Sequence, residues 1–266
     1  MTPAVVVTTY NRPDALAAVL EGYLAQEDMD FELVVADDGS DSRTARVVES
    51  YPTLKIKHVW QEDRGFRAAA IRNRAVAATG MEYIIFTDGD CVPAPSFVAA
   101  HKRLAARGWF LAGNRILLSA RLTKRVLAEH LPLHRWSWTD WLRERSRRDV
   151  NRLLPLLSLP DGAFRRAQAK RWEGAKTCNL SVWRDTLVRV NGLDESYEGW
   201  GLEDSDLVIR LLHAGERHKN ARFAAPLFHL WHAEQPRDAL ARNAAKLEEI
   251  LRSDRVRAER GLDQYL

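Results

Sequence analysis

Over roughly its first hundred residues the chain alternates short apolar, β-branched runs with helix-like stretches, and this alternation restricts the fold more than any other feature. Ala4–Thr9, Glu32–Ala36, Leu54–Trp60 and Tyr83–Thr87 read as strands. Pro13–Gln26, Arg43–Ser50, Phe66–Ala78 and Pro95–Arg107 read as helices between and after them. Strands buried on both faces lose the alternation of a half-exposed sheet. Strand and helix following each other at this spacing therefore predict an α/β fold, a mostly parallel sheet flanked by helices. In such sheets ligands bind beyond the carboxyl ends of the strands. Polar clusters stand at those ends: Thr8-Thr9-Tyr10-Asn11-Arg12, Asp37-Asp38-Gly39-Ser40 and Asp88-Gly89-Asp90.

From Leu118 to about Lys170 the pattern changes to a segment rich in Arg, Leu and Trp, which reads as a helical insertion with a loop around Pro155–Gly162. A second ordered block runs from Cys178 to His232, and Pro236–Arg260 reads as a charged amphipathic helix. The 266 residues thus divide as one unit into four parts: about 1–118, 119–171, 172–235 and 236–266. The net charge of +4 is too modest to suggest a nucleic-acid binder, yet Arg121–Arg171 alone holds 13 Lys+Arg against 5 Asp+Glu. That local balance of +8 fits an anionic acceptor or peripheral contact with an anionic membrane surface. Two cysteines give no disulfide framework, the N-terminus has no signal-peptide pattern, and no run approaches the ~20 apolar residues of a membrane span. The expected location is cytoplasmic, with attachment at the inner face of the membrane compatible with the basic segment.

Asp88 and Asp90 can present oxygen ligands to one hard divalent cation, and Gly89 lets the backbone approach a ligand closely. Such an ion offsets the charge of a diphosphate on binding and departure. Taken alone, Asp-Gly-Asp is more often a plain turn, and Asp38 more often part of a helix cap. Trp200-Gly201-Leu202-Glu203-Asp204 is harder to dismiss. Acids in a first helical turn complement the macrodipole, but Trp also offers a flat face for a sugar ring. A carboxylate beside it can bind hydroxyls or take a proton from one. His229 and His232 follow an apolar run and could complete a metal site begun by Asp88 and Asp90. Arg67 and Arg72, with Arg64 and Arg74, could reach phosphates, although Arg74 fits a solvated helix face better.

Together these motifs resemble the family 2 glycosyltransferases, inverting enzymes with the GT-A nucleotide-sugar fold. The likeness rests on Val5–Arg12, Val34–Ser40, Phe86–Asp90 and the block Asn191–Asp204, the last also similar to β-1,4-galactosyltransferases and chondroitin-polymerase-like enzymes. It covers roughly 4–118 and 172–235 and leaves 121–171 unassigned. By that resemblance a nucleotide-sugar donor, a UDP-sugar, binds through Thr8, Tyr10, Arg12, Asp38, Arg67, Arg72, Asp88 and Gly89. Its base lies near Tyr10, Arg12 and Asp38. Mn²⁺ or Mg²⁺ is held by Asp90, Asp88, His232 and, as a second imidazole, His229. Trp200, Gly201 and Glu203 bind a glycan or glycolipid acceptor, and Asp204 is the catalytic base. A sugar-phosphate nucleotidyltransferase would share the sheet and carboxylates, but no Gly-rich phosphate loop precedes Asp37. A non-catalytic polyanion-binding module would leave the acidic strand ends unexplained.

Overall fold

The computed structural model describes residues 1–234 and 237–266. Seven strands form the main sheet in the order β3-β2-β1-β4-β8-β6-β9. They are β1 (Ala4–Thr9), β2 (Glu32–Asp37), β3 (Lys57–Trp60), β4 (Tyr83–Asp88), β6 (Trp109–Ala112), β8 (Asn179–Trp183) and β9 (Arg217–Asn220). β8 alone runs against its neighbours β4 and β6; every other pairing is parallel. A three-stranded sheet, β5-β10-β7, is built from β5 (Cys91–Pro93), β7 (Arg115–Leu117) and β10 (Leu227–His229).

The apolar runs explain the layers. In β1, Val5 and Val7 enter one core with Leu33, Val35 and Ile85, while Ala4 and Val6 enter the other with Val34, Ile84 and Phe86. Burying each larger apolar side chain contributes roughly 1.5–3 kcal/mol, so a run buried on both sides is held firmly in register. The first core is covered by α1 (Pro13–Leu24), α2 (Ser42–Glu49), α4 (Phe97–Leu104), α5 (Ala120–Glu129) and α6 (Trp138–Ser146). The second is covered by α3 (Ala68–Ala77), α7 (Arg184–Val190) and α8 (Glu203–His213), with α9 (Leu240–Leu251) packed on Ile209 of α8.

Several boundaries differ from the sequence expectation for local reasons. β3 starts at Lys57 rather than Leu54, because Pro52–Leu54 closes a 3₁₀ turn and Lys55 takes a left-handed conformation at φ 48°. Residue 236, where the tail helix was expected to begin, lies outside the described residues, and the helix found is the shorter α9. The basic segment, expected to be a helical insertion, is helical only in its first half. Beyond Ser146 the described chain has short 3₁₀ turns until β8, over a stretch punctuated by Pro155, Pro160, Gly162 and Gly174. Buried Arg165 pins it by donating to the carbonyls of Leu159, Pro160, Asn220, Arg222 and Phe223.

Buried His101 ties α4 to β8, with Nδ1 2.7 Å from Ser181 Oγ and Nε2 3.1 Å from Asn179 Oδ1. Burial pushes its pKa down to about 4. Between the ordinary histidine value of about 6.5 and that folded value, the unfolded chain takes up a proton that the native one refuses. Stability should therefore fall as pH drops through this window, by about 3 kcal/mol in total from this residue. Urea unfolding from pH 7 to 4 should show a shallower acid slope for His101→Gln than for wild type; equal slopes would remove His101 from this role.

Candidate active site

Strand register brings the polar clusters to one edge of the sheet. Thr9 pairs with Asp37 and Thr8 with Asp88, so the ends of β1, β2 and β4 open together. Gly89 sits where β4 turns away. A Cβ there would lie 2.9 Å from both Cβ and Oγ1 of Thr9, so its small size is required by the neighbouring strand end. Beyond the turn, β5 runs antiparallel to β10 and places Cys91 opposite His229, while Leu230 N–H donates to the Asp90 carbonyl at 2.8 Å.

That pairing delivers two imidazoles to one carboxylate. His232 Nε2 lies 3.4 Å from Asp90 Oδ2 and His229 Nε2 lies 3.7 Å from Oδ1. Ligands about 2.1 Å from a common octahedral ion stand roughly 3 Å apart, so modest adjustment would close these groups around one. Burial holds His229 down to about pKa 4, which leaves its imidazole neutral and able to coordinate at neutral pH. The donor set, one carboxylate and two imidazoles with Asp88 nearby, suits a Mn²⁺-like ion. Cys91 Sγ also approaches Asp90 Oδ1, at 3.6 Å, although a hydrogen bond with Cys178 and burial raise its pKa well above the usual thiol range.

The guanidinium of Arg12, a residue expected near the donor's base, turns to Asp90 at 3.2 Å and to the Trp231 carbonyl. Tyr10 is exposed and donates to Asp63 at 2.9 Å, a partner that nothing in the sequence singles out. Asp38 is buried, which raises its pKa, and it accepts from the Arg67 backbone N–H at 2.8 Å and from Gln61. The Arg67 side chain turns away to the Glu62 carbonyl. Arg74 stacks over Tyr265, and Arg64 pairs with exposed Glu62, so neither takes part in the cluster around Asp88.

Arg72 is the centre of the arrangement. It is buried on α3, and its three guanidinium nitrogens are each engaged: Nε by Thr8 Oγ1 at 3.0 Å, Nη2 by Asp88 at 3.0 Å and Nη1 by Glu203 at 3.1 Å. Burial opposes its charge, but Asp88, Glu203 and Asp204 outweigh that and raise its pKa. Burial in turn raises the pKa of Asp88 and of Glu203, the latter with help from the charge of Asp204. A single side chain thus joins the end of β4 to the start of α8, with Glu203 lying 131 residues beyond Arg72.

The entry to α8 is unusual. Gly199 and Gly201 have φ of +74° and +106°, and Leu202 holds φ +78°, a conformation costly for a side chain with a Cβ. This turn leaves Trp200 exposed and buries Glu203, Asp204 and Asp206 in the first turn of the helix. Asp206 is ion-paired within the helix to fully buried Arg210, a structural role. Asp204 instead receives Lys176 Nζ at 3.2 Å, another residue without a sequence signal.

The chain is similar to known proteins in sequence and in fold. Residues 4–167 match the family model Glycosyl transferase family 2, and 166–233 match that for the N-terminal domain of galactosyltransferase. The chain belongs to glycosyl transferase family 2. It is 33% identical over 224 residues to validoxylamine A glucosyltransferase of Streptomyces hygroscopicus subsp. limoneus, covering 78% of this chain and 47% of that protein. It is 26% identical over 234 residues to chondroitin synthase of Escherichia coli, covering 80% of this chain and 32% of that protein. The chain therefore spans half or less of the length of these curated relatives. Among solved structures, S. aureus TarS 1–349 in complex with UDP superimposes with a TM-score of 0.63 at 14% identity, over 100% of this chain and 68% of that one. GalNAc-T7 with UDP, GalNAc and Mn²⁺ gives a TM-score of 0.64 at 13% identity, over 94% and 48%. The GT-A-type fold expected from the sequence is the one found. Among the described residues no helix is long and apolar enough to cross a membrane.

Proposed function

We propose that this chain is an inverting, metal-dependent hexosyltransferase that moves a hexose or N-acetylhexosamine from a nucleotide sugar to a glycan hydroxyl. The observation that carries this reading is the Arg72 bridge, which ties Asp88, the carboxylate assigned here to the donor, to Glu203, the one assigned to the acceptor. A UDP-sugar is the proposed donor, since both structural neighbours hold UDP. The chain acts as one catalytic unit, with 119–171 inserted between its donor and acceptor halves. The acceptor belongs to a lipopolysaccharide or other surface polysaccharide.

Asp38 and Tyr10 line the nucleoside side. Asp90, His229 and His232, with Asp88 adjacent, would hold Mn²⁺ or Mg²⁺. The ion, when bound, supplies electrostatic stabilisation of the departing nucleoside diphosphate. Trp200 offers a face to the acceptor ring and Glu203 a carboxylate to its hydroxyls. Asp204 takes the proton from the attacking hydroxyl. The new bond forms between that oxygen and the anomeric carbon as the bond to the diphosphate oxygen breaks on the opposite face, so configuration inverts.

A screen of nucleotide sugars should find one that gives free nucleoside diphosphate in the presence of Mn²⁺. Pyrophosphate as the product would indicate a nucleotidyltransferase instead. With the best donor, Asp90→Ala should lower turnover by about 100-fold or more. Undiminished turnover of the wild-type protein in excess chelator would overturn the metal assignment.

A further inference from the structure

The basic Trp-rich segment is not used by the chemistry above, and its ion pairs divide it in two. Four of its five acids are matched: Asp149 to Arg121, Glu144 to Arg125 and Arg147, Asp140 to Arg143, and Asp161 to Arg166 and Lys219. Arg145 and Arg148 are exposed and have no acidic partner among the described residues. The surplus positive charge is therefore free at the surface.

The same segment exposes apolar surface out of proportion to its length. Six of the sixteen exposed large hydrophobic side chains in the described chain lie between Trp138 and Phe164. On α6 they follow helical spacing. Trp141 and Glu144 point inward, Trp141 stacking on Phe228 at 4.4 Å between ring centroids. Trp138 (49% exposed), Leu142 (55% exposed) and Arg145 lie one turn apart along the outer face. A capping box between Ser137 and Asp140 fixes the start of the helix, so this face is presented on a rigid element.

A soluble polyanion is recognised by charge and gives no reason to expose Leu142 beside the arginines. A lipid surface accounts for both: Trp and Leu enter the boundary between headgroups and acyl chains, and Arg meets anionic headgroups. We infer that the outer face of α6, with Trp138, Leu142 and Arg145, together with Arg148 just past the helix end, docks the protein on an anionic bilayer. This docking is independent of the transfer reaction proposed above. α5, which Arg125 and Glu144 link to α6, accepts the Trp231 N–H on Thr123 Oγ1 at 2.8 Å, next to His232. The docked face is thus connected to the side of the site that carries the imidazoles.

The test uses the full chain with vesicles of phosphatidylglycerol and phosphatidylcholine in equal parts, against vesicles of phosphatidylcholine alone. The wild-type protein should sediment with the anionic vesicles, and brominated acyl chains should quench its fluorescence. Trp138→Phe should lose part of that quenching. Arg145→Glu combined with Arg148→Glu should weaken partitioning by about tenfold or more. Trp138→Ser combined with Leu142→Ser should weaken it comparably. Both pairs are exposed and should leave the thermal midpoint and nucleoside-diphosphate release from soluble substrates unchanged. Partitioning unaffected by both double variants would overturn the proposal. So would binding of soluble polyphosphate as tight as that of the vesicles, with no quenching by brominated lipid, which would point to a polyanion.

Discussion

Asp204→Asn should reduce transfer by about 10³-fold while donor affinity stays within about twofold of wild type. The amide keeps the shape of the side chain but cannot take the proton that the proposed mechanism gives to Asp204, and general-base assistance contributes typically ~10²–10⁴-fold. A 10³-fold loss corresponds to about 4 kcal/mol of transition-state stabilisation. Because Asp204 meets Lys176 and Ser205 rather than the groups around Asp90, the change should leave the donor side undisturbed. Isothermal titration with the nucleoside diphosphate, alongside steady-state turnover, separates the two quantities. Normal turnover would remove Asp204 from the role. A parallel loss of affinity would make it a binding group instead.

Arg72→Met should cost about 3–5 kcal/mol of folding stability, the usual consequence of leaving buried carboxylates without their cation. Asp88 and Glu203 already have raised pKa values, and removal of the guanidinium should raise them further. A carboxyl group with a raised folded pKa takes up protons on folding, so stability is retained below the ordinary carboxylate range and lost as pH rises. The deficit of the variant relative to wild type should therefore grow between pH 5 and 8. Denaturant unfolding across that range tests it, and Arg72→Lys should recover part of the loss by restoring charge without the fork. A variant within about 0.5 kcal/mol of wild type at pH 8 would show that the bridge is not what holds β4 to α8.

The sequence makes the strands with two-sided burial easy to read. β1, β2 and β4 stand out because their consecutive Val, Ile and Phe residues serve two cores at once. β5, β7 and β10 have three residues each, too few for any period, yet they bring His229 to Asp90. Asp88, Asp90, Glu203 and Asp204 carry recognisable spacing, whereas Lys176 and Asp63 do not, since their partners lie 28 and 53 residues away. The contact of Arg12 with Asp90 is not legible for a similar reason. A long side chain at a strand end can serve either neighbour, and only the fold of β5 against β10 shows that Asp90 is within its reach.

The segment between β7 and β8 is tied back by backbone contacts. Gly113 N–H donates to the Asn179 carbonyl at 2.8 Å, and Leu118 forms an isolated bridge with Val150. What lies between is no free loop, since Leu122, Val126 and Trp141 are buried in the first core and Arg165 is held by the carbonyls of Asn220, Arg222 and Phe223. Inward-facing residues here are thus constrained by the core and by the Trp231 contact, whereas the outward side chains of α5 and α6 are free to vary without disturbing either.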